Sequence, residues 1–267
     1  MCRTPTERGF SLIELAVVLF IIALLLGSIL VPLQTQVESR NYDQTQRILD
    51  QAREALIGYA AAYGYFPCPA FTNNGLEAVG TNHAAATTCP ATVWGGTTTY
   101  IGFLPAATLS FTPVDANGYA LDAWGLSPQN RIRYAVVGNL TVNGIAQPFT
   151  RVNGMRNAGM ANLAAAALLY VCNSGTGVVV GTNCGTAGTL TSNAAVVIWS
   201  VGPNAATTGG TSVDEKQNPN PTAGFSADRI FVSKTKSEGT SGEFDDIVTW
   251  IGAPTLFSRL IAAGQLP

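Results

Sequence analysis

The sequence predicts an α+β fold in which one long amino-terminal helix packs on a mostly antiparallel β-sheet. Three observations predict it. From Leu15 to Leu33 no charged side chain occurs, and Leu, Ile, Val and Phe predominate. Helical spacing of apolar residues then runs on to about Tyr63, where Gly64 and Pro67 stop it, as a glycine at the helix end followed by proline should. Beyond that point short apolar runs of strand length alternate with stretches of Gly, Asn, Thr and Pro, the residues of turns.

The chain begins with a short charged leader, residues 1–9, in which Arg3 and Arg8 stand against Glu7. The apolar segment 10–33 is long enough to cross a bilayer, which takes about 20 residues of helix. A secretory signal peptide would end at small residues and lose helical character after its apolar core. Here the pattern continues through an amphipathic segment, 34–66. Its apolar stripe is Ile48, Ala52, Ala55, Leu56, Tyr59 and Tyr63, and its solvated face carries Glu38, Asp43, Arg47, Asp50, Arg53 and Glu54, with Asp43 one turn from Arg47. Taken as one helix from Phe10, the two segments would reach roughly 80 Å. Gly27 and Pro32 predict a kink or local melting, because proline removes a backbone donor and clashes with the preceding turn.

Residues 67–267 read as one globular, β-rich domain. Cys68 to about Gly102 is a long surface loop, and His83, the only histidine, is expected to be solvated there. Leu121–Gly125 is a turn feeding a half-buried strand, Arg131–Val137. Gly159–Ala167 suits a short helix and Leu168–Cys172 a strand, with Val178–Val180 returning antiparallel after a turn at 173–177. Ala194–Val201 is the strongest buried-strand signal, Gly202–Ala227 a loop, and Arg229–Val232 and Ile247–Ile251 further strands. Pro254 and Thr255 open a last helix that Gly264 stops.

Composition bounds the function. With 267 residues, 47% hydrophobic and 11% charged, the chain can bury a sizeable core and is not disordered. Its formal charge of −2, which becomes −3 without the leader's +1, offers nothing to a nucleic acid. Of five cysteines, Cys2 lies in the leader, which leaves Cys68, Cys89, Cys172 and Cys184. Four cysteines permit three pairings; local spacing favours Cys68 with Cys89 and Cys172 with Cys184, in an oxidising compartment. No Gly-x-Ser-x-Gly elbow, histidine-bearing metal motif or phosphate loop is present, so the expectation is a protein that is not an enzyme.

The run Gly9-Phe10-Ser11-Leu12-Ile13-Glu14, after a basic leader and before an apolar helix, resembles the cleavage and methylation site of the type IV pilin and type II secretion pseudopilin superfamily. The resemblance implies a pilin-like fold and processing by a prepilin peptidase, which cuts after Gly9 and methylates Phe10. It implies a single-pass protein of the bacterial inner membrane with a periplasmic carboxy-terminal domain, later assembled into a periplasmic or extracellular filament with copies of itself and related pilins. Glu14 would set the stagger between subunits by pairing with the Phe10 amine of a neighbour, since an unpaired charge in such a core is strongly penalised. The alternative for Glu14 is a carboxylate at the headgroup level, favoured by the helix dipole.

Two further stretches carry the resemblance. Asp122-Ala123-Trp124-Gly125 and the Tyr134 strand resemble the Asp-Pro-Trp-Gly turn of the major pseudopilins, with Ala123 in place of proline. Ser200–Asn204 and Glu243–Trp250 resemble the two ends of their calcium loop, here separated by an insertion and with Asn204 where aspartate is usual. No cofactor is expected beyond this calcium ion, for which the resemblance implies the Val201 carbonyl, Asn204, and Asp245 or Asp246, with Asp246 preferred. The alternative is that Asp245 and Asp246 cap the turn into Ile247 with no ion. The expected function is a structural filament subunit, a type II secretion pseudopilin or, alternatively, a minor or tip pilin in adhesion or motility. A membrane-anchored periplasmic enzyme is the rival class.

Overall fold

The computed structural model describes residues 11–79, 83, 89, 99–125, 127–138, 140–205, 212–218, 229–237 and 243–267, with backbone only at 26–34 and 99. The leader and its junction, Gly9 and Phe10, lie outside the described residues. Helix α1 is Leu12–Tyr63 and runs through Gly27 and Pro32, so the local melting expected there is not seen. Two compact units divide the chain, Met1–Asp43 and Gln44–Pro267. In the first, the large apolar side chains from Leu12 to Leu25 are exposed. Among the described residues no helix is long and apolar enough to cross a membrane. The described side chains of the apolar run stop at Leu25, so the span expected over 10–33 extends beyond them at both ends.

In the second unit, α1 buries Thr45, Leu49, Ala52, Leu56, Ile57 and Ala60. This corrects the expected stripe by part of a turn. Ala52 and Leu56 belong to it, whereas Ile48, Ala55 and Tyr59 are half-buried and Tyr63 is 57% exposed. Small side chains at 45, 52 and 60 admit close packing, and the tyrosines stack instead, Tyr59 on Tyr63 with ring centroids 4.5 Å apart. The expected cap holds: Gly64 takes φ 79° and donates to the Ala60 carbonyl at 2.7 Å. The Gln265 amide donates to the free carbonyls of Ala61 and Ala62 at 3.2 and 3.1 Å.

The sheet confirms the α+β class. Its strands are β1 (Thr99–Phe103), β2 (Arg133–Val137), β5 (Leu169–Cys172), β6 (Thr189–Ser200), β7 (Ile230–Val232) and β8 (Ile247–Gly252), ordered β1-β2-β6-β5-β7 with β8 also on β6. A small hairpin, β3 (Thr141–Val142) with β4 (Ile145–Ala146), turns at Asn143 and Gly144, both at positive φ. The centre is β6, antiparallel to β2, β5 and β8 and wholly buried from Ala194 to Ser200.

Several expectations need correction. Val178–Val180 does not return along β5, whose two edges are taken by β6 and, in parallel, by β7; Val179 instead bridges Asn183 within its own loop. The helix expected over 159–167 is α3 (Met160–Ala165), but a second short helix, α2 (Gly154–Ala158), stands before it where a loop was expected, the two broken at Gly159 with φ 82°. The supposed loop 68–102 ends in β1, and the loop 202–227 contains a 3-10 turn, Glu215–Gln217. The last helix, α4 (Ala253–Ala262), begins directly after β8. Disulfides join Cys68 to Cys89 and Cys172 to Cys184, the two local pairings.

Asp115 ties the turn before β2 to the sheet. Its carboxylate accepts from Arg131 at 2.8 Å, Ser127 at 2.7 Å, and the Asn117 and Tyr119 amides at 2.9 Å, while Arg131 lies 4.2 Å over the Tyr119 ring. Burial raises the carboxyl pKa, but these donors outweigh it and hold the group below its usual value. A depressed pKa contributes stability that is present above the unfolded value of about 3.9 and lost as pH falls through the lower folded one. Asp115→Asn therefore costs about 3 kcal/mol in denaturant unfolding at neutral pH, since it strands Arg131, and the loss shrinks below about pH 4. An unchanged midpoint across that range would contradict the assignment.

Candidate functional site

At one end of β6 the chain buries an unusual density of charge. Ser200 and Asp122 join first: the hydroxyl donates to Asp122 Oδ2 at 2.6 Å, and Asn130 Nδ2 donates to the same oxygen and to the Gly202 carbonyl, both at 2.8 Å. Asp122 also accepts the Trp124 amide at 3.0 Å, which fixes the turn before β2. Arg133 lies alongside, 1% exposed, and donates to the Arg131 and Gln129 carbonyls at 2.9 and 3.0 Å. Burial pushes its guanidinium down to about 9, against the pull of Asp246 and Asp122.

The two adjacent aspartates before β8 face different surroundings, as an extended backbone requires. Asp246 accepts from Asn218 Nδ2 at 2.7 Å and has the Arg133 charge near it. Asp245 has neither; its carboxylate is buried, with the Asn204 backbone and the Lys236 charge only partly offsetting that burial, and Glu215 Oε2 is buried as well. Glu215 Oε1 accepts from the Asn204 side chain at 3.3 Å and from the Asp245 amide at 3.2 Å. Asp245 and Glu215 are each 2% exposed. Burial, then the charges of Glu215 and Glu243, push Asp245 up to about 7, and burial raises Glu215 as well. Two carboxylates so placed call for a shared proton or a cation.

Of the expected ligands, Asp245 lies beside Glu215 and Asn204, whereas Asp246 accepts from Asn218. Glu215, from the 3-10 turn of the insertion, was missed; no local signal marks it, since a lone glutamate in a polar loop reads as solvated. Gly202 keeps the space, with φ 66°, and a Cβ there would lie 2.7 Å from the Asp245 carbonyl and Oδ1. Val201 is buried next to it, 4% exposed. Two buried carboxylates are the hard oxygen donors that a cation such as calcium takes, while Asn204 turns its Nδ2 to Glu215.

His83 also departs from expectation. It is not solvated: Nδ1 is 2.8 Å from the Thr150 carbonyl, Nε2 is 3.0 Å from Glu77 Oε2, and the Tyr65 ring is stacked at 4.2 Å.

At the amino terminus, Ser11 and Glu14 form a reciprocal cap on α1. Glu14 N donates to Ser11 Oγ at 3.3 Å, and Ser11 N donates to Glu14 Oε2 at 3.1 Å. The carboxylate is thereby held over the first turn, five residues beyond Gly9. Residues 5–30 match the prokaryotic N-terminal methylation motif. This motif is the signature of type IV pilins and pseudopilins. The match ends well before the globular unit, and no curated protein and no solved structure matches the chain. Within the methylation motif, Glu14 is the one acidic residue of the helix's first turn.

If a cation bridges Asp245 and Glu215, calcium raises the melting temperature and excess chelator lowers it. Glu215→Gln then weakens calcium at least about tenfold in calorimetric titration, by removing a charged ligand, whereas a melting curve indifferent to calcium and chelator would eliminate the site.

Proposed function

We propose that the chain is a structural filament subunit of pilin or pseudopilin type and that it performs no catalysis. The observation that carries this reading is the methylation motif at residues 5–30, continued by a helix whose large side chains from Leu12 to Leu25 are apolar and exposed. Eleven such side chains, each worth about 1.5–3 kcal/mol on transfer from water, demand lipid or other apolar helices around them. In this reading prepilin peptidase cuts after Gly9 and methylates Phe10, and segment 10–33 anchors the protein in the inner membrane with residues 67–267 in the periplasm. Assembly moves the helix from lipid to a bundle of like helices. Glu14, held over the first turn, then meets the charged Phe10 amine of a neighbour.

Within that class, the Asp122–Trp124 turn and the Asp245–Glu215 pair favour a type II secretion pseudopilin that binds calcium. A second reading, a minor or tip pilin, is favoured by the long stretch after Gly202, which supplies Glu215 and Asn218 to the buried cluster.

Processing is tested by intact mass of the membrane-extracted chain from cells with an active prepilin peptidase. The expected species begins at a methylated Phe10. Retention of Met1–Gly9 would refute the proposal. Glu14→Ala is expected to leave membrane insertion unchanged, since it removes a charge that is costly in lipid, and to reduce recovery in the sheared-filament fraction by about tenfold or more; undiminished recovery would refute the pairing.

A further inference from the structure

The Cys68–Cys89 disulfide closes a loop that contains Glu77 and His83, and the side chains of Cys68, Glu77 and His83 converge. Ligand atoms of Cys68, Glu77 and His83 lie within 4.8 Å of one another, and Cys89 is bonded to Cys68. The place is dry: Cys68 and Cys89 are 0% and 2% exposed, and the side chains of His83 and Glu77 12% and 14%. The Thr150 carbonyl, 2.8 Å from His83 Nδ1, requires a proton on that nitrogen. Nε2 faces Glu77 Oε2 at 3.0 Å, an ion pair when the ring carries both protons. A metal ion on Nε2 takes the place of that proton beside the carboxylate. Each is also oriented from behind, Glu77 by the Cys68 amide at 2.9 Å and by the Tyr59 hydroxyl at 3.4 Å, as the outer partners of metal ligands are.

We propose that the chain with Cys68 and Cys89 reduced binds one Zn2+ through these two thiolates, His83 Nε2 and the Glu77 carboxylate. Two sulfurs, one imidazole and one carboxylate are a tetrahedral zinc set. The metal and the disulfide are alternative cross-links of one loop. A dithiol reductant delivers two electrons and two protons to the sulfur–sulfur bond and leaves as a cyclic disulfide; Zn2+ then displaces the two thiol protons. In the opposite direction a disulfide oxidant takes two electrons from the thiolates by exchange, the bond re-forms and Zn2+ departs. A chain reaching an oxidising compartment with its thiols still reduced needs no reductant for the first state, and the metal keeps Cys68 and Cys89 together and apart from Cys172 and Cys184.

The test uses the full chain in detergent, reduced with a phosphine and freed of metal, titrated with Co2+. The expected result is one Co2+ per chain with thiolate-to-cobalt charge-transfer absorption and the intense visible bands of a tetrahedral ion, bleached by Zn2+ and absent before reduction. Cys172→Ser with Cys184→Ser leaves the signal unchanged, whereas His83→Ala and Glu77→Gln weaken Co2+ binding about tenfold or more. Absence of the charge-transfer band, or its survival in Cys68→Ser, overturns the proposal. Should His83→Ala not fold, alkylation of the reduced parent chain decides: Zn2+ is expected to protect Cys68 and Cys89 but not Cys172 and Cys184, and equal labelling of all four overturns it.

Discussion

The constraint on which the molecule depends is the exposed apolar face of α1 between Leu12 and Leu25. Water cannot surround it without a penalty of roughly 15–30 kcal/mol, comparable to or larger than the whole stability of a domain. In the proposed reading the helix exchanges lipid for helices of like kind without passing through water. The globular unit, which cannot draw on that exchange, is stabilised separately. It has its own core around β6, a buried face on the second half of α1, and two local disulfides that limit the unfolded chain by about 2–4 kcal/mol each.

Charge is handled differently in the two units. On α1 a single carboxylate, Glu14, is capped by Ser11 and kept at the helix start. In the globular unit Asp122, Arg133, Asp245, Asp246 and Glu215 are all nearly excluded from water at one end of β6. Burial holds the Asp246 carboxyl well above the usual carboxylate range despite the Arg133 charge, Asp122 is satisfied by Ser200 and Asn130, and the remaining pair, Asp245 and Glu215, requires a shared proton or a cation. Because Glu215 and Asn218 come from the insertion, whatever meets that requirement also fastens the inserted segment to β7 and β8, Asn218 exchanging two hydrogen bonds with Val232 at 2.9 Å.

What could be read from the sequence was whatever is decided locally. The apolar run 194–201, the Gly64 cap, the Pro254 helix start and the short cysteine spacings all rest on neighbours a few residues away, and the structure has each of them. The methylation motif is local in the same sense. Misreadings arose where distant residues decide. Tyr59 and Tyr63 have helical spacing, yet the buried face runs through Thr45, Leu49, Ala52, Leu56, Ile57 and Ala60, set by the sheet packed on it rather than by the helix alone. β5 takes β7 as a parallel partner across nearly sixty residues of chain. His83 is solvated by every local criterion but is enclosed by Tyr65, Glu77 and Thr150. Asp245 and Asp246 were known to point apart, but which one faces Asn204 depended on Asn218 and Arg133, far away in sequence.

The claim that α1 is an assembly element is tested most directly by an electron cryomicroscopy reconstruction of filaments from cells producing this chain with its prepilin peptidase and assembly machinery. The account predicts a core of α1 helices that begin at Phe10, with the Glu14 carboxylate within hydrogen-bonding distance of a neighbour's amino terminus and the β6-centred unit outside. Filaments whose core lacks this helix, or a processed chain found only as single copies in the membrane while filaments form without it, would contradict the account.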